Sequence, residues 1–196
     1  MPLIGLTGRS GSGKTTATEA AKALGSLVLD CDRIYAEITS SVTPCLKAIG
    51  ETFGEETVKD GRLNRSALRE KVFSDPEAMN KLNALTARFM GEEIRSRIAA
   101  SSASFVLLDA PTLFQSGLDT SCDLVIGVIA PEEDCILRIT SRDGISEEDA
   151  RRRLAQQPSA DFFRTNCHAC LENTESREVL YQKAYHLFSA IQKGEL

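Results

Sequence analysis

The run Leu3-Ile4-Gly5-Leu6-Thr7 passes directly into Gly8-Arg9-Ser10-Gly11-Ser12-Gly13-Lys14-Thr15, and that junction constrains the fold more than any other stretch of the 196 residues. A short apolar run ending at a glycine-rich loop reads as a buried strand, and Lys14 to Leu24 behind it has helical spacing. The loop matches GxxxxGK[ST] in full, in the strand-to-helix context the motif requires. Its glycines let the backbone curl with N–H groups turned inward, so that these and the helix amino terminus can hold phosphate oxygens. The expected nucleotide-binding residues are therefore Gly8, Gly11, Ser12, Gly13, Lys14, Thr15 and Thr16. Lys14 supplies a point charge to the β- and γ-phosphates of ATP, and Thr15 offers a hydroxyl to Mg²⁺. A dinucleotide-type loop, the other reading of Gly11-x-Gly13 followed by Asp32, wants a small residue where Thr16 stands and leaves Lys14 without a purpose.

Further along, Leu27 to Asp30, Phe105 to Asp109 and Leu124 to Ala130 read as buried strands, with Cys167 to Leu171 a weaker candidate. Pro76 to Ala100, Pro131 to Arg142 and Arg177 to Ile191 carry helical spacing. Strand and helix in alternation imply an α/β fold of three layers, a parallel central sheet covered on both faces. About 70 residues separate the second and third strands, too many for one crossover helix. Their material is helical, with Val42 to Phe53, Arg65 to Phe73 and the Pro76 segment, and Lys59-Asp60-Gly61-Arg62 forms a turn. Such an insertion either covers a substrate beside the carboxyl ends of the strands or adds helical packing. The expected organisation is a single domain over residues 1–196, with the insertion at about 35–100 and a lid at about 138–160.

Composition narrows the partners. A net charge of −5 provides no general attraction to nucleic acid or anionic lipid, so any anion must be bound locally. Apolar runs such as Leu124 to Ile126 fall far short of the roughly 20 residues needed to span a bilayer. The amino terminus has no basic stretch followed by a secretory apolar segment, and a cytoplasmic protein, monomeric or a small homo-oligomer, is the expectation. Cys31, Cys45, Cys122, Cys135, Cys167 and Cys170 are then expected as reduced thiols. Cys167-His168-Ala169-Cys170 forms the close pair among them, half of a zinc site or a redox dithiol in form. It lacks the second CxxC or His pair of the former and the early strand of a thioredoxin-type motif, so buried or incidental cysteines are the expectation.

Among P-loop classes a GTPase needs an NKxD segment after a later strand, and Asn80-Lys81-Leu82-Asn83 has neither the acid nor the position. A small-molecule kinase suits the length. It needs a carboxylate near the acceptor hydroxyl, and Asp30-Cys31-Asp32 lies at the carboxyl end of the second strand. Either acid could orient or deprotonate the hydroxyl, while Asp32 could equally be the N-cap of a helix over Arg33 to Ile38. Asp109 suits Mg²⁺ or its water shell, or a hydrogen bond to the P-loop. Arg138 and Arg142, four apart on one helical face, are lid candidates for the charge of the migrating phosphoryl group.

Taken together these residues resemble the dephospho-CoA kinase family. The resemblance covers roughly residues 3–160. It rests on Ile4-Gly5-Leu6-Thr7-Gly8 entering the P-loop, Asp30-Cys31-Asp32, Gly61-Arg62-Leu63-Asn64-Arg65, Leu82-Asn83-Ala84-Leu85, Asp109-Ala110-Pro111-Thr112-Leu113-Phe114 and Arg138 through Gln157. It implies a helical CoA-binding region, a small lid, and transfer of the ATP γ-phosphoryl to the 3′-hydroxyl of the dephospho-CoA ribose. Asp32 aligns with the family's proposed base, and Arg138 and Arg142 fall in its lid. The chain departs from the family pattern at Thr86-Ala87-Arg88, at Gln115 and at Cys167 to Asn173.

Overall fold

The computed structural model describes residues 1–40, 43–73 and 75–195. In chain order the elements are β1 (Leu3–Thr7), α1 (Lys14–Ala23), β2 (Leu27–Asp30), α2 (Cys31–Ile38), α3 (Pro44–Phe53), β3 (Val58–Lys59), β4 (Arg62–Leu63), α4 (Arg65–Val72) and α5 (Pro76–Ala99). After these come β5 (Val106–Asp109), β6 (Leu124–Ile129), α6 (Glu132–Asp143), α7 (Glu147–Ala155), α8 (Ala160–Asn166), β7 (Ala169–Glu172) and α9 (Arg177–Lys193). The chain divides into two compact units, Met1–Leu29 with Ser102–Leu196, and Asp30–Ser101.

In the first unit the sheet runs β2-β5-β1-β6-β7. β1 is parallel to both β5 and β6, and β6 is parallel to β7. Alternate residues of these strands, Ile4, Leu6, Leu107, Ile126, Val128 and Leu171, form one buried cluster with Ala17, Ala20 and Ala21 of α1 and Leu180, Ala184, Phe188 and Ile191 of α9. The intervening positions face the other way, where Leu113 and the Cys122 thiol crowd Gly5 and Phe163 of α8 crowds Gly127. A sheet buried on both faces must be apolar at every position, which is why its strands stand out as continuous runs. Pairing ends one residue inside the expected limits at Phe105 and Ala130. α8 carries no sequence signal of its own: Ser159 caps it by accepting from Phe162 N, in a stretch too short to show helical periodicity.

In the second unit α5 packs against α2, α3 and α4. Proline at the first turn and a capping side chain start two of these helices: Thr43 before Pro44, and Asp75 before Pro76. Val42, expected to begin α3, lies outside the described residues. Thr86 continues α5 without a break, its hydroxyl donating to Leu82 O at 2.9 Å. The turn at Lys59 to Arg62 is a hairpin joining antiparallel β3 and β4. Its two central residues both have positive φ, with Asp60 at 52° and Gly61 at 71°, the hairpin geometry that Asp-Gly favours.

Candidate active site

The reading of Asp32 as a helix cap is corrected by the structure. α2 starts at Cys31, so the cap is Asp30, extended at φ −79° and accepting from Arg33 N at 3.0 Å. β2 and α2 abut with no loop between them, which hands the capping role to the last strand residue. Asp32 lies in the first helical turn, exposed, in the Asp30–Ser101 unit.

In the other unit the loop between β1 and α1 is held by its carbonyls. Lys14 Nζ reaches back to Gly8 O at 2.8 Å, and Ser12 N closes onto Arg9 O at 3.1 Å. Arg138 Nη1 donates to Gly11 O at 3.0 Å, and Asn173 Nδ2 donates to Ser12 O at 2.8 Å. Gly13 O accepts from Thr16 N at 3.0 Å, the first bond of α1. A loop whose carbonyls are spent on these partners can turn its N–H groups toward an anion. Gly13 is also the N-cap of α1, with no side chain to occupy the first amides of the helix.

Two glycines show why no side chain is tolerated. At Gly11 (φ +76°) a Cβ would sit 2.6 Å from the backbone oxygen of Cys135 in α6. At Gly13 (φ +109°) it would meet Asn173 Nδ2 at 2.6 Å and Leu180 Cδ2 at 2.7 Å. The loop is thus pressed between α6 on one side and the end of β7 with α9 on the other.

A second set of contacts comes from α6, α7 and the residues just after α7. Arg9 bridges to Glu132 Oε2 at 2.8 Å and donates to Leu154 O at 2.9 Å. Gln157 and Ser10 bond reciprocally: Ser10 N donates to Gln157 Oε1, and Gln157 Nε2 donates to Ser10 Oγ, each at 2.9 Å. Sequence patterns alone do not mark Arg9, Gln157 and Asn173 as parts of this assembly. Partners 123 to 161 residues away in the chain leave no local signal.

Asp109 ends β5, and its Oδ2 lies 3.1 Å from the Thr18 hydroxyl, which also stands 3.0 Å from Lys14 O. Asp109 is tied to α1 one turn beyond Thr15. The two lid arginines, expected to act from one face, are separated. Arg138 is on the P-loop, whereas Arg142 is turned to its neighbour Asp143 through Nε to Oδ1 at 2.7 Å and Nη2 to Oδ2 at 3.0 Å. Asp143 also binds Arg153, and the two guanidiniums hold its carboxyl far below the ordinary carboxylate range.

The unit therefore offers cationic groups and a helix amino terminus around one loop, inside a protein of net negative charge. Comparison with known proteins finds relatives over nearly the whole chain. The dephospho-CoA kinase family model matches residues 2–178. A dephospho-CoA kinase of Idiomarina loihiensis is 36% identical over 186 residues, covering 94% of this chain and 92% of its own. Among solved structures, a Thermus thermophilus protein superposes with a TM-score of 0.79 at 30% identity, covering 97% of each chain. A dephospho-CoA kinase from Campylobacter jejuni gives a TM-score of 0.69 at 26% identity, covering 99% of this chain and 98% of its own. With its P-loop intact and a match running from β1 into α9, the chain belongs to the dephospho-CoA kinase family.

Proposed function

We propose that the loop Gly8–Thr16 holds the phosphates of ATP while Asp32 serves the 3′-hydroxyl of the dephospho-CoA ribose, so that the γ-phosphoryl passes to that hydroxyl and leaves ADP and coenzyme A. The observation that carries this reading is the P-loop itself, with Gly8, Gly11 and Ser12 carbonyls bound to Lys14, Arg138 and Asn173. Phosphoryl transfer asks mainly for positioning and for positive charge around the migrating group. Lys14 meets the β- and γ-phosphates, and Arg138, already at the loop, adds a second cation. Arg142 joins only by exchanging Asp143 for phosphate.

Thr15 and Asp109 supply a hydroxyl and a carboxylate, hard oxygen donors that fit Mg²⁺. When bound, the ion offsets charge on the phosphate oxygens. Asp32, exposed and relieved of capping by Asp30, is available to orient the acceptor hydroxyl and take its proton. The Asp30–Ser101 unit is assigned to dephospho-CoA. Among the described residues no helix is long and apolar enough to cross a membrane.

The test is formation of ADP and coenzyme A from Mg-ATP and dephospho-CoA, measured by mass spectrometry, with Asp32→Asn alongside. Coenzyme A from the parent and a loss of about 10²- to 10⁴-fold in the variant, with ATP still bound, is the expected result. Turnover by Asp32→Asn at the parent rate would remove Asp32 from the role of base.

A further inference from the structure

The segment from α8 into β7 places two thiols over one glycine. Cys167 comes directly after α8, its N–H donating to Phe163 O at 2.9 Å, and Cys170 is the second residue of β7, its thiol 3.6 Å from the same carbonyl. A Cβ on Gly127 of β6 would lie 3.0 Å from Cys167 Sγ and 3.3 Å from Cys170 Sγ, so the missing side chain provides the room both sulfurs share. The two sulfurs thus border one small volume above Gly127. Both residues are partly exposed.

The strand that carries Cys170 leads straight to the nucleotide loop. β7 is the outer strand of the sheet, paired on one side only, with Cys170 opposite Gly127 and Glu172 opposite Ile129. The next residue is Asn173, buried, with its N–H on Ile129 O at 2.7 Å and its side chain on Ser12 O of the P-loop at 2.8 Å. The Cys167 side is fixed as well. His168 is clamped to β6 in both directions, donating N–H to Val125 O at 2.8 Å and accepting Val125 N–H on Nδ1 at 3.0 Å.

We propose that Cys167 and Cys170 are an oxidisable dithiol that closes to a disulfide by exchange with a low-molecular-weight disulfide, and that closure weakens ATP binding through Asn173. One thiolate attacks a sulfur of the small disulfide RSSR, forming a protein–SR mixed disulfide and releasing one RSH. The second thiolate then attacks the protein sulfur of that bond and releases the second RSH. The protein loses two electrons and two protons, and RSSR takes up both. A disulfide brings its sulfurs to about 2.05 Å, well inside the contact distance of two unbonded thiols. With the Cys167 side clamped at Phe163 and Val125, the displacement falls on the edge strand and passes to Asn173. A hydrogen bond of 2.8 Å does not survive a shift of about 1 Å, and its loss from a buried site loosens the loop. Burial and the neighbouring Cys170 push the Cys167 thiol up to about 12, so the exchange is slow at neutral pH.

The proposal rests on the reading of the P-loop as the ATP site. Parent protein and the Cys167→Ser/Cys170→Ser double variant would be equilibrated with oxidised or reduced glutathione. Intact mass and peptide mapping would report the 167–170 disulfide, and a fluorescent ATP analogue would report affinity without turnover. Expected are a 167–170 disulfide in the parent, an affinity about fivefold to tenfold weaker, full recovery with dithiothreitol, and no response in the double variant. Cys170→Ser alone should accumulate the glutathione adduct on Cys167. A parent that stays reduced at 167 and 170 in oxidised glutathione overturns the dithiol. A disulfide that leaves ATP affinity unchanged overturns the coupling to Asn173, and an equal loss of affinity in the double variant assigns the effect to another cysteine and overturns it as well. Reduced parent that fails to bind the analogue refutes the P-loop reading instead.

Discussion

Gly11 occupies a position at which GxxxxGK[ST] accepts any residue, yet the structure forbids a side chain there, and Gly11→Ala separates the two expectations. The penalty has two parts. An alanine held at φ +76° carries the left-handed strain of about 1 to 2 kcal/mol. Its Cβ would also lie 2.6 Å from Cys135 O and 2.9 Å from Cys135 Cα. These are backbone atoms of a buried helix segment and cannot swing aside, which adds an overpacking cost of about 1 to 3 kcal/mol. Gly25 isolates the first part: it too has φ +76°, and nothing lies within 4 Å of its missing Cβ. For a chain of this size each kcal/mol shifts Tm by about 2 to 4 °C. Gly25→Ala should therefore lower Tm by about 2 to 8 °C, and Gly11→Ala by about 2 to 12 °C more, since each multiplies its own range.

The loop can also yield by moving off α6, which breaks the bond from Arg138 to Gly11 O. The excess cost then surfaces as weaker ATP binding rather than as lost stability. Thermal unfolding and nucleotide titration of both variants capture the two forms of the penalty together. Equal Tm values for Gly11→Ala and Gly25→Ala, with parental ATP affinity in both, would refute the claim that α6 shapes the loop.

Other perturbations test separate parts of the site. Lys14→Ala should lower kcat by about 10²- to 10³-fold in a steady-state assay, through lost stabilisation of charge in transfer; an unchanged kcat would contradict that role. Arg138→Ala should weaken ATP binding measured by titration, whereas Arg142→Ala, whose side chain rests on Asp143, should leave binding unchanged and slow turnover. Gln157→Leu leaves the Ser10 N–H and hydroxyl without their partners, at about 1 to 3 kcal/mol, and should lower Tm by about 2 to 12 °C. Burial pushes Cys45 and Cys122 up to about 11, from the ordinary thiol value of 9.0. The unfolded chain then releases these protons first, so stability is intact below pH 9 and falls between 9 and 11; chemical denaturation across that interval should show a shallower fall in Cys122→Ala.

The parts of this molecule that were legible in its sequence are those whose causes are local. The β1 to α1 junction is readable because strand, loop and helix signals are contiguous. β5 and β6 are readable because burial on both faces makes them unbroken apolar runs. Asp30-Cys31-Asp32 marks the right place but not the right division of labour, since either acid can cap and only the point where pairing stops decides between them. Arg138 and Arg142 share a helical face by spacing, yet the carboxylate beside Arg142 captures one of them, a competition that spacing does not encode. β7 is weak in sequence for a physical reason: an edge strand pairs on one side only, and its four residues, Ala169–Glu172, are too few to show a clear alternation. Asn173 and Gln157 enter the sequence reading only as the ends of stretches compared with the family and without a role, because what defines their role is the tertiary approach of distant segments to the same loop.

That approach bears on how the nucleotide binds. Four segments, β6 through its pairing with β1, α6, the stretch ending at Gln157, and the residue after β7, converge on the loop before any ligand arrives. Fixing the backbone of a free residue costs about 1 to 2 kcal/mol, so a loop of this length left disordered would take most of the affinity that phosphate contacts can supply. On the reading of this loop as the ATP site, folding has already met that cost and the nucleotide meets a formed cradle. The opposite holds for Arg142, which must leave Asp143, an exposed partner, to reach phosphate. Asp143 also holds Arg153, so Arg142 gives up a bidentate partner within a small network rather than an isolated surface pair. On that reading the site joins a loop already held by its neighbours to one arginine that must change partners, and the bonds from Arg9 to Leu154 O and between Ser10 and Gln157 place the segment around α7 with the loop.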